Sequence, residues 1–133
     1  RSISLPALRR VVATGERVSA RAAAWSERVL DVQLHAAWWQ AEVGSIVIGD
    51  CYGCEYRPGS MGVALPAIDA AVALRRRDGH IDLLEDGVDG ELVLREGWPS
   101  MFRGYLDDGE QFTARFADGR YLTGDIVVRD REG

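Results

Sequence analysis

The spacing of apolar positions changes once along this 133-residue chain, near Gly44, and the change separates two kinds of predicted element. Before it, Arg10-Val11-Val12-Ala13-Thr14 has the β-branched character of a short buried strand. Gly15-Glu16 follows as a turn, and Ser19 can cap a helix with its hydroxyl. Val18, Ala22, Trp25 and Val29 recur at helical spacing, which predicts one apolar stripe on a helix running to about Leu30. A second strand is expected over residues 32–38. Strand, helix and strand make residues 1–43 an α/β segment.

After Gly44 the helical period disappears. Short runs replace it at Ile46-Val47-Ile48, Ala71-Val72-Ala73-Leu74, Leu92-Val93-Leu94 and Ile126-Val127-Val128, each with the composition of a strand. Five Asp-Gly pairs, beginning at Asp78, Asp86, Asp89, Asp108 and Asp118, offer the positive φ that tight hairpin turns demand. One short helix is expected between Asp107 and Phe116, with Phe112 and Phe116 on one face. Residues 44–133 are therefore expected to be a mainly antiparallel, barrel-like β subdomain. The fold class is α+β, within one partial domain spanning 1–133.

Composition narrows the partners. A net charge of −5 and a pI near 5.0 oppose the phosphate neutralisation on which nucleic-acid affinity depends. No stretch approaches the roughly 20 apolar residues of a spanning helix, so neither nucleic acid nor membrane is expected as a partner. The chain opens Arg-Ser-Ile-Ser-Leu-Pro, which has the look of a cut and not of a targeting signal. Cys51 and Cys54 form a single C-x-x-C, read as two reduced thiols, because no second Cys or His pair completes a zinc site. A cytoplasmic location is the matching expectation. His35 and His80 stand apart from each other and from the cysteines. Arg75-Arg76-Arg77, just before an Asp-Gly turn, is read as a solvated strand end.

Five short motifs change the argument: Gly15-Glu16, Trp38-Trp39-Gln40-Ala41-Glu42, Pro58-Gly59-Ser60-Met61-Gly62, Gly97-Trp98-Pro99-Ser100-Met101 and Tyr121-Leu122-Thr123-Gly124-Asp125. Each alone is weak. Together, in this order, they resemble the AMP-forming acetyl-CoA synthetases of the acyl-adenylate-forming superfamily, over nearly the whole chain. The resemblance implies an acid-thiol ligase that joins a small acid to ATP as an acyl-adenylate and then passes the acyl group to coenzyme A. ATP, Mg²⁺ and coenzyme A would be its cofactor and substrates, with acetate or another short acid.

The resemblance also assigns residues. Glu42 matches the carboxylate that holds Mg²⁺, a hard cation suited to oxygen ligands. Asp125 matches the carboxylate that accepts hydrogen bonds from the ribose hydroxyls, while Gly15, Glu16 and Arg17 match the segment near the adenine. Gln40 and Ala41 stand at nucleotide-contacting positions, and Trp39 matches the indole that closes the acyl pocket. Gly97-Trp98-Pro99-Ser100-Met101 favours the acetate-type branch, whereas Gly104-Tyr105-Leu106-Asp107-Asp108 resembles the medium-chain branch as well. Pro58-Gly59-Ser60-Met61-Gly62 shapes a loop and takes no direct chemical role.

The departures are specific. Ala41 stands where the family has a Thr whose hydroxyl contacts the α-phosphate, Ala36 and Ala37 replace an Asp-Thr pair, and Arg17 replaces a Pro. The family's phosphate-binding loop and the C-terminal domain with its catalytic Lys have no counterpart in these residues, so no catalytic set is complete. The expectation is a piece that works with the remainder of the enzyme and is inactive by itself. The alternatives are a non-catalytic nucleotide-binding relict, or a subunit that completes a site with another chain.

Overall fold

A computed structural model describes residues 5–50, 53 and 55–131. Cys51 and Cys54 lie outside the described residues. The fold is α+β, and the chain divides into two compact units, Arg1–Leu65 and Pro66–Gly133.

In the first unit, β1 (Val11–Ala13) runs parallel to β2 (Leu34–Trp38), with α1 (Ala20–Leu30) as the crossover. The Ser19 hydroxyl accepts from the Ala22 amide at 3.1 Å and opens α1, and Asp31, in the left-handed conformation at φ 56°, closes it. The buried stripe of α1 is rotated from the expected one. Ala23 and Ser26 are its buried residues, whereas Trp25 is half exposed. Small side chains let the helix approach the strands closely, and the Ser26 hydroxyl offsets its burial by donating to the Val32 carbonyl at 2.9 Å. Then β3 (Ile48–Gly49) and β4 (Val63–Ala64) extend the sheet antiparallel in the order β1-β2-β3-β4, so this unit continues beyond the change in pattern at Gly44.

The second unit is a five-stranded antiparallel sheet of order β6-β5-β7-β9-β8, built from β5 (Ala70–Arg75), β6 (Ile81–Leu83), β7 (Asp89–Arg95), β8 (Phe116–Ala117) and β9 (Arg120–Val128). Its central strand β7 is buried on both faces from Gly90 to Leu94. On one face Ala73, Val93 and Leu122 form a core onto which Ile81 and Ala117 pack. Ile81 belongs to one edge strand and Ala117 to the other, so the sheet must curl strongly for both to reach the same core. The opposite face carries Tyr121 beneath an aromatic cluster centred on Phe102, whose ring lies 5.0–6.0 Å from those of Tyr105, Phe112, Phe116 and Tyr121.

Three of the five Asp-Gly pairs make turns between strands: Asp78-Gly79 joins β5 to β6, Asp86-Gly87 joins β6 to β7, and Asp118-Gly119 joins β8 to β9. Asp118 and Gly119 have φ of 49° and 73°, the two positive values of a type I′ turn. Asp108 instead caps α2 (Gly109–Thr113), accepting from the Gln111 amide at 2.8 Å. The fifth pair is no turn. Gly90 lies within β7, where a Cβ would stand 2.8 Å from the Ala73 carbonyl oxygen and 2.6 Å from Leu84 Cδ1, so its role is close packing. Phe112 and Phe116 touch as the spacing suggested, with ring centroids 5.1 Å apart, but Phe116 belongs to β8 and not to the helix.

Asp118 ties the two edges of the curled sheet together. Its carboxylate accepts from the Ile81 amide on β6 at 2.9 Å and from His80 Nδ1 at 2.8 Å. The Ile81 amide, then the His80 hydrogen bond, holds Asp118 below the ordinary carboxylate value of 3.8. The Asp118 hydrogen bond, followed by the charges of Asp118 and Asp78, raises His80 above 6.5, against smaller opposing effects of desolvation and Arg76. The imidazolium's contribution to stability is complete below 6.5 and is lost as pH rises through the raised His80 value. The carboxylate's contribution is complete above 3.8 and is lost as pH falls through the lowered Asp118 value. The clasp is therefore tightest between 3.8 and 6.5. An NMR titration should find His80 above 6.5, and Asp118→Asn should return it toward that value while speeding exchange of the Ile81 amide. A His80 titration indifferent to Asp118→Asn would refute the clasp.

Candidate functional site

The first unit places two loops at one end of its parallel pair. Ala13 pairs with Ala36, so Gly15-Glu16-Arg17 leaves β1 beside the strand end from which Trp39-Gln40-Ala41-Glu42 leaves β2. Ligands of open α/β sheets bind in this position, outside the carboxyl ends of parallel strands. Gly15, at φ 91°, turns the chain out of β1 toward α1. Glu16, Arg17, Trp39 and Ala41 are exposed, while Gln40 and Glu42 are half-buried. The Gln40 carbonyl accepts from the amides of Val43 and Gly44 at 3.1 and 3.2 Å. This closes a tight turn that fixes the backbone carrying Ala41 and Glu42.

Trp38, the last residue of β2, and Trp39, the first of the loop, diverge. Trp38 is 9% exposed and packs in the core, whereas Trp39 is 44% exposed. The motif at residues 58–62 is structural. A Cβ on Gly62 would meet the Gly49 carbonyl carbon, so glycine is needed there for the approach of β4 to β3. His35, on β2, bonds through Nδ1 to Asp50 Oδ2 at 3.0 Å and meets the Tyr56 ring edge-on. Arg10 donates to the Asp50 carbonyl at 2.8 Å, and Tyr56 to the Leu34 carbonyl at 3.2 Å. Burial first, then the charges of Glu27 and Asp50, raises the Tyr56 hydroxyl above its ordinary value of 10.0. This network clamps β2 upstream of the Trp39–Glu42 loop.

Asp125 lies in the second unit, on a bulge of β9. Between the pairs Glu91↔Ile126 and Val93↔Leu122 the register shifts, so Thr123, Gly124 and Asp125 stand opposite Leu92 alone. Gly124, at φ 81°, supplies the conformation. The buried Thr123 hydroxyl donates to the Leu92 carbonyl at 2.8 Å and accepts from the Asp125 amide at 3.1 Å. The Gly124 amide donates to Glu91 Oε1 at 2.9 Å. Asp125 itself is exposed. Glu91 was not singled out by the sequence, and its partner Arg75, read as part of a solvated strand end, turns its guanidinium onto the buried Glu91 carboxylate. The only available signal was a charged residue breaking the apolar run of β7.

Among the described residues no group of three His, Cys, Asp or Glu side chains is gathered for a metal ion. Glu42 offers one carboxylate. That suits Mg²⁺, which is usually held by one or two carboxylates and completes its shell with substrate phosphate and water. Among the described residues, no helix is long and apolar enough to cross a membrane.

The chain belongs to the AMP-binding enzyme family, which it matches over residues 1–106. It is similar to the acetyl-coenzyme A synthetase of Bacillus subtilis, at 32% identity over 130 residues that make up 97% of this chain and 22% of that protein. The acetyl-coenzyme A synthetase of Nitrosomonas europaea is 35% identical over 139 residues, covering 97% of this chain and 21% of that one. The chain thus spans about a fifth of the length of these curated relatives. Among solved structures, apo MatB from Rhodopseudomonas palustris has a TM-score of 0.79 at 23% identity, over 94% of this chain and 24% of that one. The anthranilate CoA ligase AuaEII in complex with anthranoyl-AMP has a TM-score of 0.79 at 24% identity, over 95% of this chain and 23% of that one. These structures establish the fold.

The two tryptophans give a direct check on the placement. Trp38→Ala should cost roughly 3–5 kcal/mol, the usual loss for a large core side chain, whereas Trp39→Ala should stay within about 0.5 kcal/mol. Urea unfolding followed by circular dichroism measures both, and equal costs would contradict the divergence.

Proposed function

We propose that this chain supplies part of the nucleotide and acyl site of an AMP-forming acyl-CoA synthetase that activates acetate or another short acid. The observation that carries the reading is the pairing of two loops at the carboxyl ends of β1 and β2, because they bear the Gly15-Glu16 and Trp39–Glu42 motifs of the similar synthetases. In this reading Gly15, Glu16 and Arg17 flank the adenine, and Gln40 and Ala41 border the phosphates. Glu42 holds Mg²⁺, which offsets the triphosphate charge when bound. Asp125 accepts from the ribose hydroxyls, a charge-assisted contact. Trp39 limits the acyl group to a small acid by its bulk. ATP and coenzyme A are substrates, the chain works in the cytoplasm with Cys51 and Cys54 reduced, and the reaction needs the parts that its relatives carry beyond this span.

Ala41 bears on the strength of the site. A missing hydrogen bond to a charged group costs about 1.5–3 kcal/mol, or roughly tenfold to a hundredfold in rate when it acts in the transition state. Ala41 is exposed on its loop and offers no hydroxyl, which favours a second reading of the chain as a nucleotide-binding module without chemistry.

Labelled pyrophosphate exchange separates the readings. With ATP, Mg²⁺ and acetate, the 133-residue chain should show no exchange above a Glu42→Ala, Asp125→Ala control, and no thioester after coenzyme A is added. Exchange well above that control would make the chain a self-sufficient minimal enzyme. In a full-length enzyme context Ala41→Thr should raise acetate-dependent exchange by roughly tenfold to a hundredfold. Unchanged exchange there would remove the phosphate role from this position and favour the binding module.

A further inference from the structure

The bulge that carries Asp125 is held by a buried charge. Glu91 is 9% exposed at the centre of β7, between β5 and β9. Its carboxylate receives three donors. Arg75 Nη2 reaches Oε1 at 2.9 Å and Oε2 at 3.1 Å, Arg75 Nε reaches Oε2 at 3.3 Å, and the Gly124 amide reaches Oε1 at 2.9 Å. A planar guanidinium on one side and a backbone amide on the other leave the carboxylate little freedom to rotate.

The arrangement is costly unless it does something for the fold or the site. Burying a carboxylate forfeits hydration, which a bidentate Arg and an amide can offset but rarely exceed, and an apolar residue would serve the sheet equally well. What an apolar residue could not do is hold the Gly124 amide. That amide has no partner in the β7–β9 ladder, because the register shift leaves Thr123, Gly124 and Asp125 opposite Leu92 alone. Leu92 holds Thr123 by its carbonyl and Glu91 holds Gly124 by its side chain, so two consecutive residues of β7 grip two consecutive residues of the bulge. Asp125 is the next residue along, and its amide is already committed to the Thr123 hydroxyl. Its backbone direction is therefore set by the grip on the two residues before it.

We infer that Glu91, held by Arg75, is a positioning residue that fixes the direction in which Asp125 is presented to the ribose of a bound nucleotide. The ribose contact rests on the function proposed above, whereas the grip on the bulge does not.

The experiment uses the 133-residue chain and two ligands, AMP and 2′,3′-dideoxy-AMP, which lacks the hydroxyls that Asp125 would accept from. The wild type should prefer AMP, and Asp125→Ala should abolish the preference. Glu91→Ala should reduce the preference by about tenfold, the scale of one charge-assisted hydrogen bond, while leaving dideoxy-AMP affinity unchanged. Glu91→Gln, which keeps an acceptor for Gly124, should retain most of the preference. A purely structural defect would weaken both ligands together, and that result in Glu91→Gln as well as Glu91→Ala would overturn the inference. The Gly124 and Asp125 amides give a ligand-free readout by NMR, in which Glu91→Ala should shift both and speed exchange of the Gly124 amide. If wild type shows no preference for AMP, the ribose reading fails, and unchanged amides in Glu91→Ala would then overturn the grip as well. Altered amides would sustain the grip without the ribose.

Discussion

The second unit depends on the pairing of β7 with β9. β7 is the one strand of its sheet buried without interruption over five residues, from Gly90 to Leu94, and it pairs with β5 on one side and β9 on the other. Its two faces serve different cores. Val93 joins Ala73 and Leu122 in a small-residue core that Ile81 and Ala117 can reach only if the sheet curls. Leu94 pairs with Tyr121 beneath the aromatic cluster. A strand buried on both faces has no polar side to give up, which is why its one buried charged residue, Glu91, must be fully partnered where it stands.

The first unit is organised by the parallel pair β1–β2. Parallel strands point their carboxyl ends the same way, so loops far apart in sequence leave from one edge, and here they are Gly15–Arg17 and Trp39–Glu42. The clamp behind β2, made by His35, Asp50, Arg10 and Tyr56, fixes the strand from the side opposite those loops along the chain. Polar groups used in this way stabilise direction more than they contribute energy, because each gains only a modest net amount over its hydration.

Much of this was legible from local pattern. The Ser19 cap, the α1 span, the switch to β runs after Gly44 and the Asp118-Gly119 turn all follow from preferences that a few neighbouring residues express by themselves. The errors came where tertiary packing overrides such preferences. Trp25 fits a helical stripe by spacing, yet Ala23 and Ser26 are buried because small side chains permit close approach. Asp89-Gly90 has the composition of a turn, but the crowding of Ala73, Val72 and Leu84 uses its glycine inside a strand. Among the candidate site residues, the motif positions were visible as sequence, whereas Glu91 and its pairing with Arg75, read only as part of a solvated strand end, were not. Their partnership spans 16 residues and exists only through strand register.

Ala36, Ala37 and Ala41 fall where the fold uses backbone and not side chain. Ala36 serves the sheet through its carbonyl, which accepts from the Asp50 amide at 3.4 Å, and through its pairing with Ala13. Ala37 pairs with Gly49, and a small side chain suits a position only 3.5 Å from where a Cβ on Gly49 would lie. Ala41 rides on a turn closed by the Gln40 carbonyl. None of these contacts requires an Asp or a Thr. Alanine at each position leaves the architecture intact, consistent with a TM-score of 0.79 to solved structures only 23–24% identical. The backbone of β2 and its loop would therefore hold the same path with or without a hydroxyl at position 41. The Thr123-Gly124-Asp125 bulge is the contrasting case, because there the side chain of Thr123, the missing side chain of Gly124 and the carboxylate of Glu91 all shape the backbone itself.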